Sequence, residues 1–250
     1  MPQASFKVFA SNSRLMRLLH ELDLAAKHDP NHRHFADKLG RLLDLSDAFA
    51  MSDTLRGLDR TAFMPSSHSA DAIREDFLAR RTALIALIGQ CFAGKTADGM
   101  PILPPPNDDM PSDDGKAFEP CQRFYSLLQS ELEVRCRRLR GHLRKALAGQ
   151  SPRLAQLAAL DSALGDTLSP QLRHYYALVP QLLDRRFRQL REQYHEQLAS
   201  DPEQWLAPGD WLAQFYREMQ SLLLAELELR LQTAIGLIEA LDEKHETTHN

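Results

Sequence analysis

Leucine recurs at steps of three and four along most of this chain, and that rhythm limits its fold more than any other feature. Tyr125, Leu128, Leu132, Cys136, Leu139, Leu143 and Ala146 advance this way, as do Leu212, Tyr216, Met219, Leu223, Leu227, Leu231, Ala234, Ile238 and Leu241. Such residues share one side of a helix of 3.6 residues per turn, whereas a strand needs alternation by two. The residue types agree, with 42 Leu against 3 Val and 6 Ile. Sheets favour β-branched side chains and helices favour Leu and Ala, so a sizeable sheet is excluded. The expected fold is all-α, a helical bundle of long amphipathic helices with coiled-coil character. At 250 residues and 43% apolar content the chain can fill a core without disulfide staples.

One segment interrupts the rhythm. Residues 94–119 hold Pro101, Pro104, Pro105, Pro106 and Pro111 among Asp108, Asp109, Asp113 and Asp114. Proline lacks the amide donor and restricts its predecessor, so no helix survives, and a solvated, extended or disordered linker is expected. It divides a helical region at 1–93 from a long-helix bundle at 120–244, with a polar tail at 245–250. Before the linker, Leu15, Leu18, Leu19 and Leu22 mark one helix behind a cap at Asn12 or Ser13. Phe35, Leu39, Leu42, Leu43, Leu45, Phe49 and Leu55 mark a second. Ile73, Phe77, Leu84, Leu87 and Ile88 mark a third, from about Ala70 to Phe92. After it, a helix of about 28 residues starts near Pro120. Ser151-Pro152 and Ser169-Pro170 each read as a cap followed by a proline in the first turn. Pro180 should kink or break the helix opened at Pro170. The last helix runs from Pro208–Asp210 to about Leu241, and Trp211, Phe215, Leu222 and Leu229 widen its apolar stripe. So broad a stripe suits a bundle, or a bundle that forms a homodimer.

Cys91, Cys121 and Cys136 are too few and too scattered for a disulfide framework or a thiolate metal site, and read as reduced core residues. Met1–Arg17 has no leader-like apolar run, and no apolar stretch approaches the roughly 20 residues of a membrane span. A cytoplasmic protein with no direct membrane span is expected. The formal charge of −4 gives no global attraction to nucleic acid.

Two motifs imitate catalytic sites. Gly89–Thr96 reads GQCFAGKT, the letters of a phosphate-binding loop, in which Gly89, Gly94, Lys95 and Thr96 would hold a nucleotide and its magnesium. That loop needs a strand before it and a helix opening at the lysine. Asp98, Gly99 and Pro101 leave no room for the helix, so a helix C-terminus capped by Gly89 or Gly94 is the favoured reading. The other is His245–His249, the H-E-x-x-H spacing of zinc peptidases, here on a polar tail without a cleft. His28, His32 and His34 have irregular spacing in a polar turn. No metal, cofactor or catalytic residue is assigned. Arginine faces carry a nucleic-acid alternative: Arg135 and Arg138 on one helix, Arg185 and Arg188 on another. Interspersed glutamates and the lack of an exposed aromatic stacking surface weigh against it.

His32–Leu55, Arg185–Trp211 and above all Trp211–Leu241 resemble an uncharacterised proteobacterial family of all-helical proteins, a domain of unknown function. The resemblance covers most of the chain except the linker. That family carries no catalytic residues to transfer. Its genes often stand beside MotA- and OmpA/MotB-like genes, which implies an accessory role near an envelope assembly. The expectation is therefore a non-enzymatic helical adaptor or scaffold that binds a protein partner. Its contact residues would be Trp211, Phe215, Leu222 and Leu229, the apolar side chains beyond what one seam needs.

Overall fold

The computed structural model describes residues 14, 15, 17–19, 57, 63–66, 68–95, 99–106, 116–194 and 202–248. At 168, 171, 174, 175, 202, 203 and 243–248 it describes the backbone course alone. Five long helices account for most of them: α1 (Ala70–Phe92), α2 (Glu119–Ala148), α3 (Pro152–Tyr176), α4 (Val179–Gln193) and α5 (Trp211–Thr248). A short 3-10 helix, Pro202–Leu206, precedes α5. No strand occurs among the described residues. The fold is all-α, as the leucine spacing requires.

The two longest helices, α2 with 30 residues and α5 with 38, form the middle of the bundle. Each packs against the other and against α1, α3 and α4. A helix with four neighbours needs apolar residues around most of its girth, which accounts for the breadth of the α5 stripe. Trp211, Phe215, Met219, Leu222 and Leu223 are all buried there. At one end Phe187 of α4 lies edge-on to Trp211 and Phe215, with ring centroids 5.3 and 5.2 Å away, and Phe118 joins at 5.7 Å. Trp205 of the 3-10 helix meets Trp211 at 5.7 Å. Nothing in the leucine rhythm signals that last element.

The described residues of the N-terminal region pack on the same core as the C-terminal helices. α1 runs antiparallel to α2: Phe92 meets Phe124 edge-to-face at 5.1 Å, and at the other end the Ser66 amide donates to the Gly149 carbonyl at 2.9 Å. Gly149 is required for that approach, since a Cβ there would lie 2.3 Å from the Ser66 Cβ. Residues 14, 15 and 17–19 are helical, with Leu15 and Leu19 buried in the same core, and Arg14 pairs with Glu228 of α5 at 3.1 Å. The second expected helix, over 35–55, lies outside the described residues. Part of the expected linker is docked on the bundle. Residues 101–106 form no helix, but Leu103 packs on the core and its amide donates to the Cys91 carbonyl at 3.2 Å. Tyr216 donates its hydroxyl to the Pro104 carbonyl at 2.7 Å.

Ser151 caps α3 as expected, its hydroxyl accepting from the Leu154 amide at 3.2 Å. Ser169-Pro170 does not open a new helix. α3 runs through Pro170 to Tyr176. Pro170 cannot donate to the Asp166 carbonyl, and both residues are exposed, so the helix can lose that bond at its solvent side. The break falls at residues 177–178, with Pro180 in the first turn of α4, where a missing amide costs nothing.

Candidate functional site

At the C-terminus of α1, Gly94 takes a positive φ of 66°. The Lys95 amide donates to the Gln90 carbonyl at 2.9 Å and the Gly94 amide to the Cys91 carbonyl at 3.4 Å. These paired bonds are the glycine-terminated cap of a helix. The residues before Gly94 are helix rather than strand, and the Lys95 amide is consumed by the cap. The local structure therefore lacks the strand that a phosphate loop needs, and Thr96 lies outside the described residues. Residues 28–34 also lie outside them, as do the side chains of His245–His249. Among the described residues no three His, Cys, Asp or Glu groups gather as a metal site.

Of the four apolar residues expected to meet a partner, Trp211, Phe215 and Leu222 are buried in the chain's own core and Leu229 is half-buried against it. Trp211 and Phe215 come together around Phe187, while Leu222 and Leu229 lie farther along α5. The width of the stripe reflects neighbours within the chain. Uncovered apolar surface occurs elsewhere. On α1, Leu78 is 48% and Ile85 40% exposed, one heptad apart, with Ala79, Thr82, Ala83 and Ala86 exposed beside them. Two of the four arginines of the nucleic-acid alternative are committed to neighbours one turn away. Arg135 pairs with Glu131 at 2.6 Å and Arg188 with Asp184 at 2.8 Å, while Arg138 is exposed and Arg185 half-buried.

A polar cluster sits where α2, α3 and α5 meet. Glu226 of α5 is fully buried and accepts from the Tyr125 hydroxyl at 2.7 Å. The Gln129 amide donates to both its oxygens, at 2.8 and 3.0 Å, and also to the Tyr176 carbonyl at 3.1 Å. Arg230, one turn along α5, approaches Glu226 at 3.4 Å, and its guanidinium lies 3.7 Å over the Tyr176 ring. Burial pushes the Glu226 carboxyl above its ordinary range, against the pull of Arg230 and of the Tyr125 and Gln129 donors. Breaking a buried pair by removing one partner costs about 3–5 kcal/mol. The sequence carried a signal for this cluster: Glu226 stands between Leu223 and Leu227, inside a stripe that should be apolar.

Beside the cluster a half-open cavity of about 130 Å³ lies between α2, α3 and α5. Its wall contains Arg137, Arg140, Arg144, Arg173 and Arg230, with Glu133, Asp166 and Tyr176. Arg137 is held by Glu133 at 2.5 Å, and Arg140 and Arg144 share Asp161 at 3.0 and 3.6 Å. Arg173 is exposed and makes no ion pair among the described residues. Three residues of this wall each carry a buried atom without a hydrogen-bond partner: the Nε of Arg140, the Nε of Arg230 and the hydroxyl of Tyr176. An unsatisfied buried donor costs about 1–3 kcal/mol, so three around one cavity is an unusual concentration.

A larger groove of about 520 Å³ runs between α1 and α2, where Asp76 pairs with Arg80 at 2.7 Å and His142 at 3.4 Å. The Arg80 hydrogen bond chiefly holds the Asp76 carboxyl below its ordinary range.

No curated protein and no solved structure matches the chain. One family model does, over residues 1–243, for a family described as protein of unknown function (DUF3348). Since the match takes in nearly the whole sequence, helical core, arginine-walled cavity and docked proline segment included, the chain belongs to the DUF3348 family.

Proposed function

We propose that the protein is a non-enzymatic helical scaffold that binds a protein partner through the outward face of α1. The observation that supports this reading is that α1 is apolar on two sides. Ile73, Phe77, Leu84 and Ile88 face the core, while Leu78, Ile85 and the small residues between them face solvent. A helix that only completes a bundle needs one apolar stripe, and a second stripe suits a partner's amphipathic helix. The reading takes that partner to belong to a MotA- and OmpA/MotB-like envelope assembly, as the family resemblance implies, met from the cytoplasm. No described helix is long and apolar enough to cross a membrane, so the reading has the chain approach such an assembly by docking.

The test replaces Leu78 and Ile85 together with Ser. Circular dichroism and the thermal midpoint should be unchanged, because both side chains are exposed. Quantitative mass spectrometry of proteins captured from the native cell should show one or a few captured by the wild type and lost with the variant. Identical capture by both chains would overturn the proposal, and so would a wild-type chain that captures nothing. Sedimentation of the isolated wild type separates a second copy from a different partner.

A further inference from the structure

We propose that the cavity between α2, α3 and α5 binds a compact phosphate group, as free phosphate or as the end of a small phosphomonoester. Five arginines line it, and four carboxylates stand in the wall or directly behind it: Glu133, Asp166, Asp161 and Glu226. The balance is positive, and it is carried by arginine alone. Arginine's planar fork matches the spacing of phosphate oxygens, and each guanidinium has five N–H donors, more than one carboxylate can absorb.

Three further observations point the same way. The Nε of Arg140, the Nε of Arg230 and the hydroxyl of Tyr176 are buried and unpartnered, and all three belong to residues that line the cavity; the Asp161 Oδ2 behind Arg140 and Arg144 is the one unpartnered acceptor near them among the described residues. Tyr176 is 6% exposed and its phenol is pushed up by burial, so it remains a donor. Arg230 is already fixed, gripped by Glu226 and stacked on Tyr176, so little side-chain freedom is lost on binding. Finally, Gly165 occupies the middle of α3, where glycine disfavours a helix. A Cβ there would lie 3.1 Å from the Arg140 Nη2, so the glycine spares that guanidinium a shift of a few tenths of an ångström.

The size sets the ligand class. A cavity of about 130 Å³ is well below the roughly 300–1,000 Å³ that encloses a drug-sized molecule. It suits one phosphate group, with anything attached leaving through the open side.

The experiment titrates the full chain by calorimetry with inorganic phosphate, glycerol phosphate and an acidic peptide, at constant ionic strength in chloride. Saturable binding of one or both phosphates is expected. Tighter glycerol phosphate would assign a phosphomonoester, and equal or tighter inorganic phosphate would assign the free anion. Arg173→Gln should weaken binding about tenfold or more without moving the thermal midpoint, because the Arg173 side chain is exposed and makes no ion pair among the described residues. Arg138→Gln, on the same α2 but outside the cavity, should leave affinity unchanged. Tyr176→Phe should weaken binding too, yet leave the ligand-free midpoint equal or higher, because it deletes an unsatisfied hydroxyl while keeping the ring under Arg230. No saturable phosphate binding, equal weakening by Arg173→Gln and Arg138→Gln, or binding of the acidic peptide alone would overturn the proposal.

Discussion

Glu226 shows how much one side chain can demand of its surroundings. It is a carboxylate at 0% exposure, sustained by Tyr125, Gln129 and Arg230, and burial still dominates its titration. The consequence for stability has a definite sign. A carboxyl whose folded pKa lies above its unfolded one holds its proton more readily in the fold. Its contribution is complete below the ordinary value of 4.5 and is lost as pH rises through the folded value. Glu226→Gln does not titrate, so subtracting its stability isolates the effect. By urea unfolding, the wild type's advantage over Glu226→Gln should be larger near pH 4 than near pH 7. An advantage that grows with pH would mean that Arg230 outweighs burial. From sequence the residue is readable as an anomaly in a leucine stripe. Its partners are not, because Tyr125 and Gln129 are about a hundred positions away and only the packing of α2 on α5 brings them within reach.

Among the elements, the helix ends decide most. Ser69 opens α1 by accepting from the Ala72 amide at 3.2 Å, and Gly94 closes it. Gly94→Ala places a Cβ on a backbone with φ of 66° and should cost about 1–2 kcal/mol in chemical unfolding. Lys95→Ala, which keeps the cap's amide bonds and removes only an exposed side chain, should cost almost nothing. A phosphate loop predicts the reverse ranking when nucleotide affinity is measured. The two serine–proline starts show where local reading stops. Ser151-Pro152 and Ser169-Pro170 offer the same signal, yet only the first opens a helix. A proline disrupts a helix when the carbonyl it orphans is buried, and at Pro170 that carbonyl belongs to the exposed Asp166. Exposure is a property of the folded chain, so the two sites look alike in one dimension.

For the whole molecule, the described residues of the N-terminal region and the C-terminal helices share one core, and this has a measurable consequence. Cys91 of α1 and Cys121 and Cys136 of α2 are all buried, and burial pushes the Cys121 thiol up to about 12 and that of Cys136 to about 11. If the core opens as a unit, all three should react with a thiol reagent at one rate, and that rate should rise together with urea. Faster labelling of Cys91 would mean that α1 opens by itself. The sequence by itself determined the all-α class, the boundaries of α1 and α2 within a residue or two, the core faces of α1, α2 and α5, and the helix C-terminus within the GQCFAGKT letters. All of these depend on near neighbours along the chain: periodicity, capping and turn chemistry. Only the tertiary structure decided that Trp211, Phe215 and Leu222 are core, that residues 101–106 dock against Tyr216, and that five arginines from three helices face one cavity. An apolar stripe reports that a helix has neighbours without saying which. A guanidinium looks the same in sequence whether water, a carboxylate or an empty cavity lies in front of it.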